Sequence, residues 1–236
     1  ERDIIVSEIT MYEDDPMWVG HYQMLECMYG KHPIRNRIAG TAETVAEITE
    51  ETLQRAYACY YTTDEMALVC AGDIPLGEVR RMAERVARRE TAARVYFPTE
   101  DAEIAEKYRA CEMRLSVPQF QIGCKLPPLP KQDWLKKRMA AGFCMELLAG
   151  ESSVFFQKAY EWDWLDEALG SAFFCGEGYA FAAFSGSGTH PEETADFLGR
   201  ELERLQREGF SQEDFQRIRK KHLGQLLRQL DTPQKL

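Results

Sequence analysis

The chain has 236 residues, 44% of them apolar and 29% charged, with a net charge of −10. That length accommodates two domains with cores of their own, and the composition excludes a disordered or fibrous protein. The acidic balance disfavours a polyanion, so no nucleic-acid partner is expected.

The one basic stretch, Arg217, Arg219, Lys220, Lys221 and His222, falls late in a predicted helix, where cations complement the dipole. Seven cysteines, an odd number with no C-x-x-C pair, sit mostly inside apolar runs. They read as free thiols in a reducing cytoplasm rather than as a disulfide framework or a zinc knuckle. The first residues lack the layout of a signal peptide, and no apolar run approaches about 18 residues, so no membrane segment is expected.

Ile4, Ile5, Ile9 and Tyr12 stand at helical spacing and predict a first amphipathic helix. Asp15 before Pro16 reads as an N-cap with proline at the first helical position, opening a helix through about Met28 that Gly30 ends. From Gly30 to Gly40 there is no period, which predicts an ordered loop. Thr41 and Thr49 are plausible caps of two short helices, the second carrying Leu53, Ala56 and Tyr60. The apolar run Met66-Ala-Leu-Val-Cys-Ala71 suits a buried strand, and Pro75 opens a helix with Val79, Met82 and Val86.

Between Phe97 and Tyr108 the character becomes charged, and a linker is expected there. Cys111 to Lys125 alternates like a long strand, followed by a helix near Gln132 to Leu148 and a short one from Ser152 and Ser153 to Tyr160. Leu165 to Thr189 predicts a strand pair about a glycine turn at Gly176 and Gly178. Pro191 starts a helix that Gly209 stops, and Ser211-Gln-Glu-Asp214 is a capping-box pattern for the last helix. This order points to layered α/β units and not to a bundle or a barrel.

Chemistry-bearing residues are sparse. His21, His32, His190 and His222 have no second histidine within one or two helical turns, and neither H-E-x-x-H nor H-x-x-E-H occurs. Glu13, Asp14 and Asp15 are better explained as a helix cap than as a metal loop. His32 before Pro33 is expected to bond within its loop, His222 to be partly buried, and Ser185-Gly-Ser-Gly188 to be a strand end. Glu1 and Glu8 lie on one helix face about 10 Å apart along the axis. On spacing alone such a pair reads as a solvated stripe.

The ordered set Glu1-Arg-Asp-Ile-Ile-Val-Ser-Glu8 through Asp15-Pro16, Met28-Tyr-Gly-Lys-His-Pro33, Ile38-Ala-Gly-Thr41 and Ile48-Thr49 resembles the later part of the catalytic domain of insulinase-type (pitrilysin, inverted-zincin) metallopeptidases. It is especially similar to bacterial processing-peptidase-like members. Leu148-Ala-Gly-Glu-Ser-Ser153, the aromatic pair of strands around Gly178-Tyr179, and Gly209-Phe-Ser-Gln-Glu-Asp-Phe215 resemble segments of that family's second domain.

The resemblance implies an α+β fold, with two-layer α/β domains of the mitochondrial-processing-peptidase type in which helices pack on mainly antiparallel sheets. It divides the chain into residues 1–96, the end of the peptidase domain, a linker at 97–108, and a second, non-catalytic domain at 109–236. By resemblance Glu8 matches the third zinc ligand and Glu1 a supporting carboxylate. The histidine ligands and general base belong to an H-x-x-E-H helix roughly seventy to eighty residues upstream, whereas seven residues precede Glu8. The parent would thus be a zinc enzyme acting on peptides, while this chain is expected to bind no zinc and to be inactive alone. Its apolar helix faces would be left uncovered or paired with a second family chain or another copy. A non-catalytic scaffold or peptide-binding subunit is the rival reading.

Overall fold

The computed structural model describes residues 1–86 and 96–230. The parts of the anticipated domains at 87–95 and 231–236 lie outside the described residues. The chain forms two compact units, Glu1–Ala42 with Phe97–Arg219, and Glu43–Tyr96 with Lys220–Leu236.

The first unit begins with helices α1 (Arg2–Glu13) and α2 (Pro16–Met28). The Asp15 carboxylate accepts from the N–H groups of Met17 at 2.8 Å and Trp18 at 3.3 Å, which satisfies two donors that a helix start leaves open. Short helix α3 (Ala42–Ala46) leads into the second unit, where Thr49 caps α4 (Glu50–Tyr60) and α5 (Leu76–Glu84) follows Pro75. Back in the first unit come β1 (Gln119–Leu126), α6 (Trp134–Ala149) and α7 (Val154–Glu161), the last capped by Ser153. Strands β2 (Gly170–Gly176) and β3 (Tyr179–Ser187) meet at a turn where Gly178 takes φ +82. Helices α8 (Pro191–Glu208) and α9 (Gln212–Leu230) end the described chain, α9 starting on the Ser211 hydroxyl, which accepts from Asp214 N–H at 3.0 Å.

The strands form an antiparallel sheet in the order β1-β3-β2. Side chains alternate across a strand. Ala182 and Phe184 of β3 therefore join Ile122, Cys124 and Phe173 on one face, packed against Met145, Leu148, Phe155, Phe197 and Leu198 of α6, α7 and α8. Phe181 and Ala183 face the other way, onto Met24, Leu25, Met28 and Tyr29 at α2. Each buried phenylalanine contributes about 1.5–3 kcal/mol. Gly123, opposite Ala183, lets α2 lie close, since a Cβ there would come within 2.6 Å of Met28 Sδ and 2.8 Å of Met24 Cγ. Helices thus cover both faces of an antiparallel sheet, and the α+β class expected from the sequence is the one observed.

Two expected strands differ. Met66 to Ala71 forms no strand, and Met66, Leu68 and Val69 are 52%, 63% and 84% exposed. A strand needs a neighbour for its backbone groups, and among the described residues this run has none. The long strand expected from Cys111 begins only at Gln119. Its partner β3 ends at Ser187, which pairs with Gln119, and Pro118 has no N–H to extend the ladder. Residues 97–108, anticipated as a linker, lie in irregular conformation against the end of α2, with the N–H groups of Ala105 and Glu106 donating to the Cys27 carbonyl at 2.8 and 3.0 Å.

Gly188, just past β3, sits where an added Cβ would collide with the Trp164 carbonyl oxygen, a backbone atom that cannot swing aside. Gly188→Ala is expected to lower the unfolding free energy by about 1–3 kcal/mol, read from the urea midpoint at unchanged slope.

Candidate functional site

The glutamates singled out in the sequence lie on α1. Glu1 stands at its N-terminus without a side-chain cap bond, and Glu8 is exposed two turns further along. The Tyr12 hydroxyl, one turn later, donates to Glu8 Oε1 at 2.7 Å. That bond, followed by the carboxylate's charge, raises the Tyr12 pKa. Tyr12 stacks on Trp18 of α2 at 5.6 Å and 10°. The Arg37 guanidinium lies 5.0 Å above the same indole and pairs with Glu13 at 3.0 Å. Glu8 is therefore held from one side by a braced tyrosine.

Glu13, Asp14 and Asp15 serve local structure as expected, Asp15 as the cap and Glu13 as the partner of Arg37. Among the described residues no group of three or more His, Cys, Asp or Glu side chains could hold a metal ion. Zinc needs three or four converging donors, so one carboxylate on α1 does not by itself fit the ion. All seven cysteines are free thiols.

A second polar centre lies at the end of the sheet on the α2 side. His32 is buried, its Nδ1 accepting from Ile34 N–H at 3.1 Å inside the loop, as anticipated. Its Nε2 lies 2.9 Å from the Glu177 carbonyl in the β2–β3 turn, so Nε2–H is the donor there. The ring stacks on Phe97 at 5.3 Å and meets Tyr179 edge-on at 5.2 Å.

Glu100 is the anchor of this centre. Its carboxylate accepts from Gly30, Lys31 and His32 N–H groups at 2.9, 2.9 and 2.7 Å, and from Lys125 Nζ at 3.3 Å. Burial opposes the charge, but these donors outweigh it and hold the carboxyl at about 2. Lys125 also donates to the Glu103 carbonyl and lies 4.9 Å from the Tyr29 ring. The Tyr29 hydroxyl donates to the Ala180 carbonyl at 3.1 Å, and burial raises its pKa. This constellation fastens residues 97–104 to the loop after α2.

The remaining candidates sit apart. His21 is half-buried beside Phe174, where burial lowers its pKa against an opposing bond with Gln121. His190 precedes α8, and Ser185 to Ser187 close β3, the expected strand end. Arg217 of the basic stretch donates to Ser152 and pairs with Asp214. Tyr12 was within reach of sequence reasoning, since it stands at i+4 from Glu8. Glu100 was not, because its backbone donors lie about seventy positions away and Lys125 lies 25 away.

Residues 47–221 match the family described as the peptidase M16 inactive domain. The chain belongs to this family. An uncharacterized zinc protease of Bacillus subtilis, YmfH, is 29% identical over 99% of this chain and 56% of its own length. The crystal structure of an M16-like peptidase from Alicyclobacillus acidocaldarius superposes with a TM-score of 0.90 at 27% identity, covering 99% of this chain and 57% of that one. A chain of complex III from Candida albicans gives a TM-score of 0.79 at 12% identity over 99% of this chain and 58% of that one, which shows a shared fold alone. The M16 chain thus spans a little over half the length of these relatives, and the insulinase-type resemblance read from its sequence is borne out.

The Glu100 anchor makes a pH-dependent prediction. A carboxyl held below its ordinary value stabilises the fold fully above about pH 4.5 and loses that contribution as pH falls toward 2. Glu100→Gln is expected to cost about 1–3 kcal/mol at neutral pH, and the gap between the two proteins in chemical unfolding is expected to close as pH falls through that window.

Proposed function

We propose that the protein to which this chain belongs is a zinc-dependent metalloendopeptidase, hydrolysing peptides with a zinc-activated water. In that reading residues 1–96 are the end of the peptidase domain, 97–108 the connection, and 109–236 a second domain without catalytic groups. Glu8 would be one metal ligand and Glu1 a supporting carboxylate. The observation that carries this is the exposed carboxylate of Glu8, fixed on one side by Tyr12 and left open on the other, with Glu1 on the same helix. Carboxylates that bind metals are commonly oriented by such a hydrogen bond. The zinc-protease names of relatives point the same way. No catalytic step is assigned to this chain, because the other donors and the base would come from elsewhere in the protein.

A non-catalytic partner subunit remains the second reading. It is favoured by the apolar surface of residues 43–86, where Leu53, Tyr57, Tyr60, Leu68, Val69 and Met82 are all exposed. Exposure on that scale calls for a cover, either further sequence of the same protein or a second family chain. A cytoplasmic, reducing location belongs to the proposal, on the strength of the free thiols.

The expected outcome for the 236-residue chain alone is no stoichiometric zinc by elemental analysis and no peptide hydrolysis. Robust activity from it would sink the account. In the whole protein, Glu8→Gln is expected to lower zinc affinity and kcat/KM by at least about 100-fold, since even outer partners of ligands reach that range. Glu1→Gln should lower kcat with zinc retained. Unchanged zinc content and turnover in Glu8→Gln would favour the partner subunit.

A further inference from the structure

The turn Trp162–Trp164, between α7 and β2, takes no part in the carboxylate face of α1 or in the Glu100 anchor. Asp163 sits there at φ +59, a left-handed conformation that side chains adopt at a cost. Gly188 approaches it from below, and Thr189 Oγ1 donates to the Asp163 carbonyl at 3.4 Å. The turn displays two indoles side by side, 4.8 Å apart and tilted by 54°. Phe197 backs Trp162 at 5.1 Å, and His190 stacks on Trp164 at 5.8 Å. Trp162 is nevertheless 46% exposed, with a wall of rings on one side and solvent on the other.

Acidic residues neighbour this aromatic shelf along the chain. Glu161, Asp163, Asp166 and Glu167 flank the indoles in sequence, and Glu192 and Glu193 open α8 directly after His190. All six are exposed, and their carboxylates have no ion pair or hydrogen bond among the described residues. Stretches 158–167 and 190–200 together hold seven carboxylates against Lys158 and Arg200, which is half of the chain's net charge of −10. The one arginine present already uses the aromatic wall, its guanidinium lying 5.7 Å over Phe197.

We propose that the Trp162–Trp164 turn is a docking surface for a cationic peptide segment, with an arginine or lysine side chain laid on the open face of Trp162. Indole is the best aromatic partner for a cation. Unpaired carboxylates around it raise the local concentration of positive charge and speed encounter. Arginine is favoured over lysine because its planar guanidinium stacks and is more weakly hydrated. A neutral apolar occupant would gain the ring contact but nothing from the charges. The surface does not depend on the metal reading of Glu8, and serves a peptidase and a non-catalytic partner alike.

The test uses the 236-residue chain, a short arginine-bearing peptide, and the same peptide with glutamine at each arginine, compared by calorimetric titration at low ionic strength. The arginine peptide is expected to bind at least about tenfold more tightly than the glutamine peptide. Trp162→Leu is expected to weaken it about tenfold and Trp162→Phe about threefold, since a smaller ring still accepts a cation. Glu161→Gln with Asp166→Asn changes only exposed side chains and keeps the fold testable if the Trp162 variants unfold. That pair should weaken binding about threefold or more and flatten its salt dependence. Equal affinity for the two peptides, no binding of the arginine peptide, or affinity unchanged in the carboxylate pair would each overturn the proposal. So would self-association in sedimentation that Trp162→Leu abolishes, because it would make the surface a contact between copies.

Discussion

Strand β3 presents Phe181 and Ala183 to one helical layer and Ala182 and Phe184 to the other, and most of the first unit is arranged around that double burial. A slip of one residue in its pairing would exchange the two sets. Two phenylalanines would then meet surfaces shaped for alanine, so the register is tightly specified. The constraint reaches α1 indirectly. Because α2 is seated on Phe181 and Gly123, and because Trp18 of α2 carries Tyr12, the direction of Glu8 follows from the packing of a strand far away in sequence.

The polar centre behind His32 shows how the same unit tolerates charge in a partly enclosed place. A buried carboxylate is costly unless its lone pairs are taken up, and here backbone donors and an ammonium do so together. Loop 30–32, turn 176–179 and segment 97–104 have little apolar surface of their own. Their mutual order comes from Glu100, from the His32 bond to Glu177, and from the stacking of His32 on Phe97.

Local chemistry made the helices legible in advance. Asp15-Pro16, Thr49, Ser153 and Ser211 act as start signals in the structure much as they do in the sequence, and Gly209, at φ +72, ends α8. The hairpin was legible for the same reason, since Gly178 supplies the conformation its turn needs. Strands were harder, because a strand is completed by its neighbour. The apolar run at Met66 looked like one, and β1 looked longer than β3 can pair. The anchor at Glu100 was invisible, as nothing within a helical turn of it marks the residue. Glu1 and Glu8 were visible but ambiguous. Their spacing fits a solvated stripe as well as a site, and it was the order of the surrounding segments that gave them a meaning.

Residues 43–86 carry a different consequence. Among them only Val45 and Thr62 are buried, and the Thr62 hydroxyl has no partner among the described residues. A segment so poor in core contacts opens at little cost, and amide exchange and proteolysis find such openings first. A single cut there would not divide the first unit. Its pieces 1–42 and 97–219 are clasped by α2 on the sheet and by Glu100 on the loop after α2. A cut within residues 43–86 is thus expected to leave the two pieces of the first unit associated.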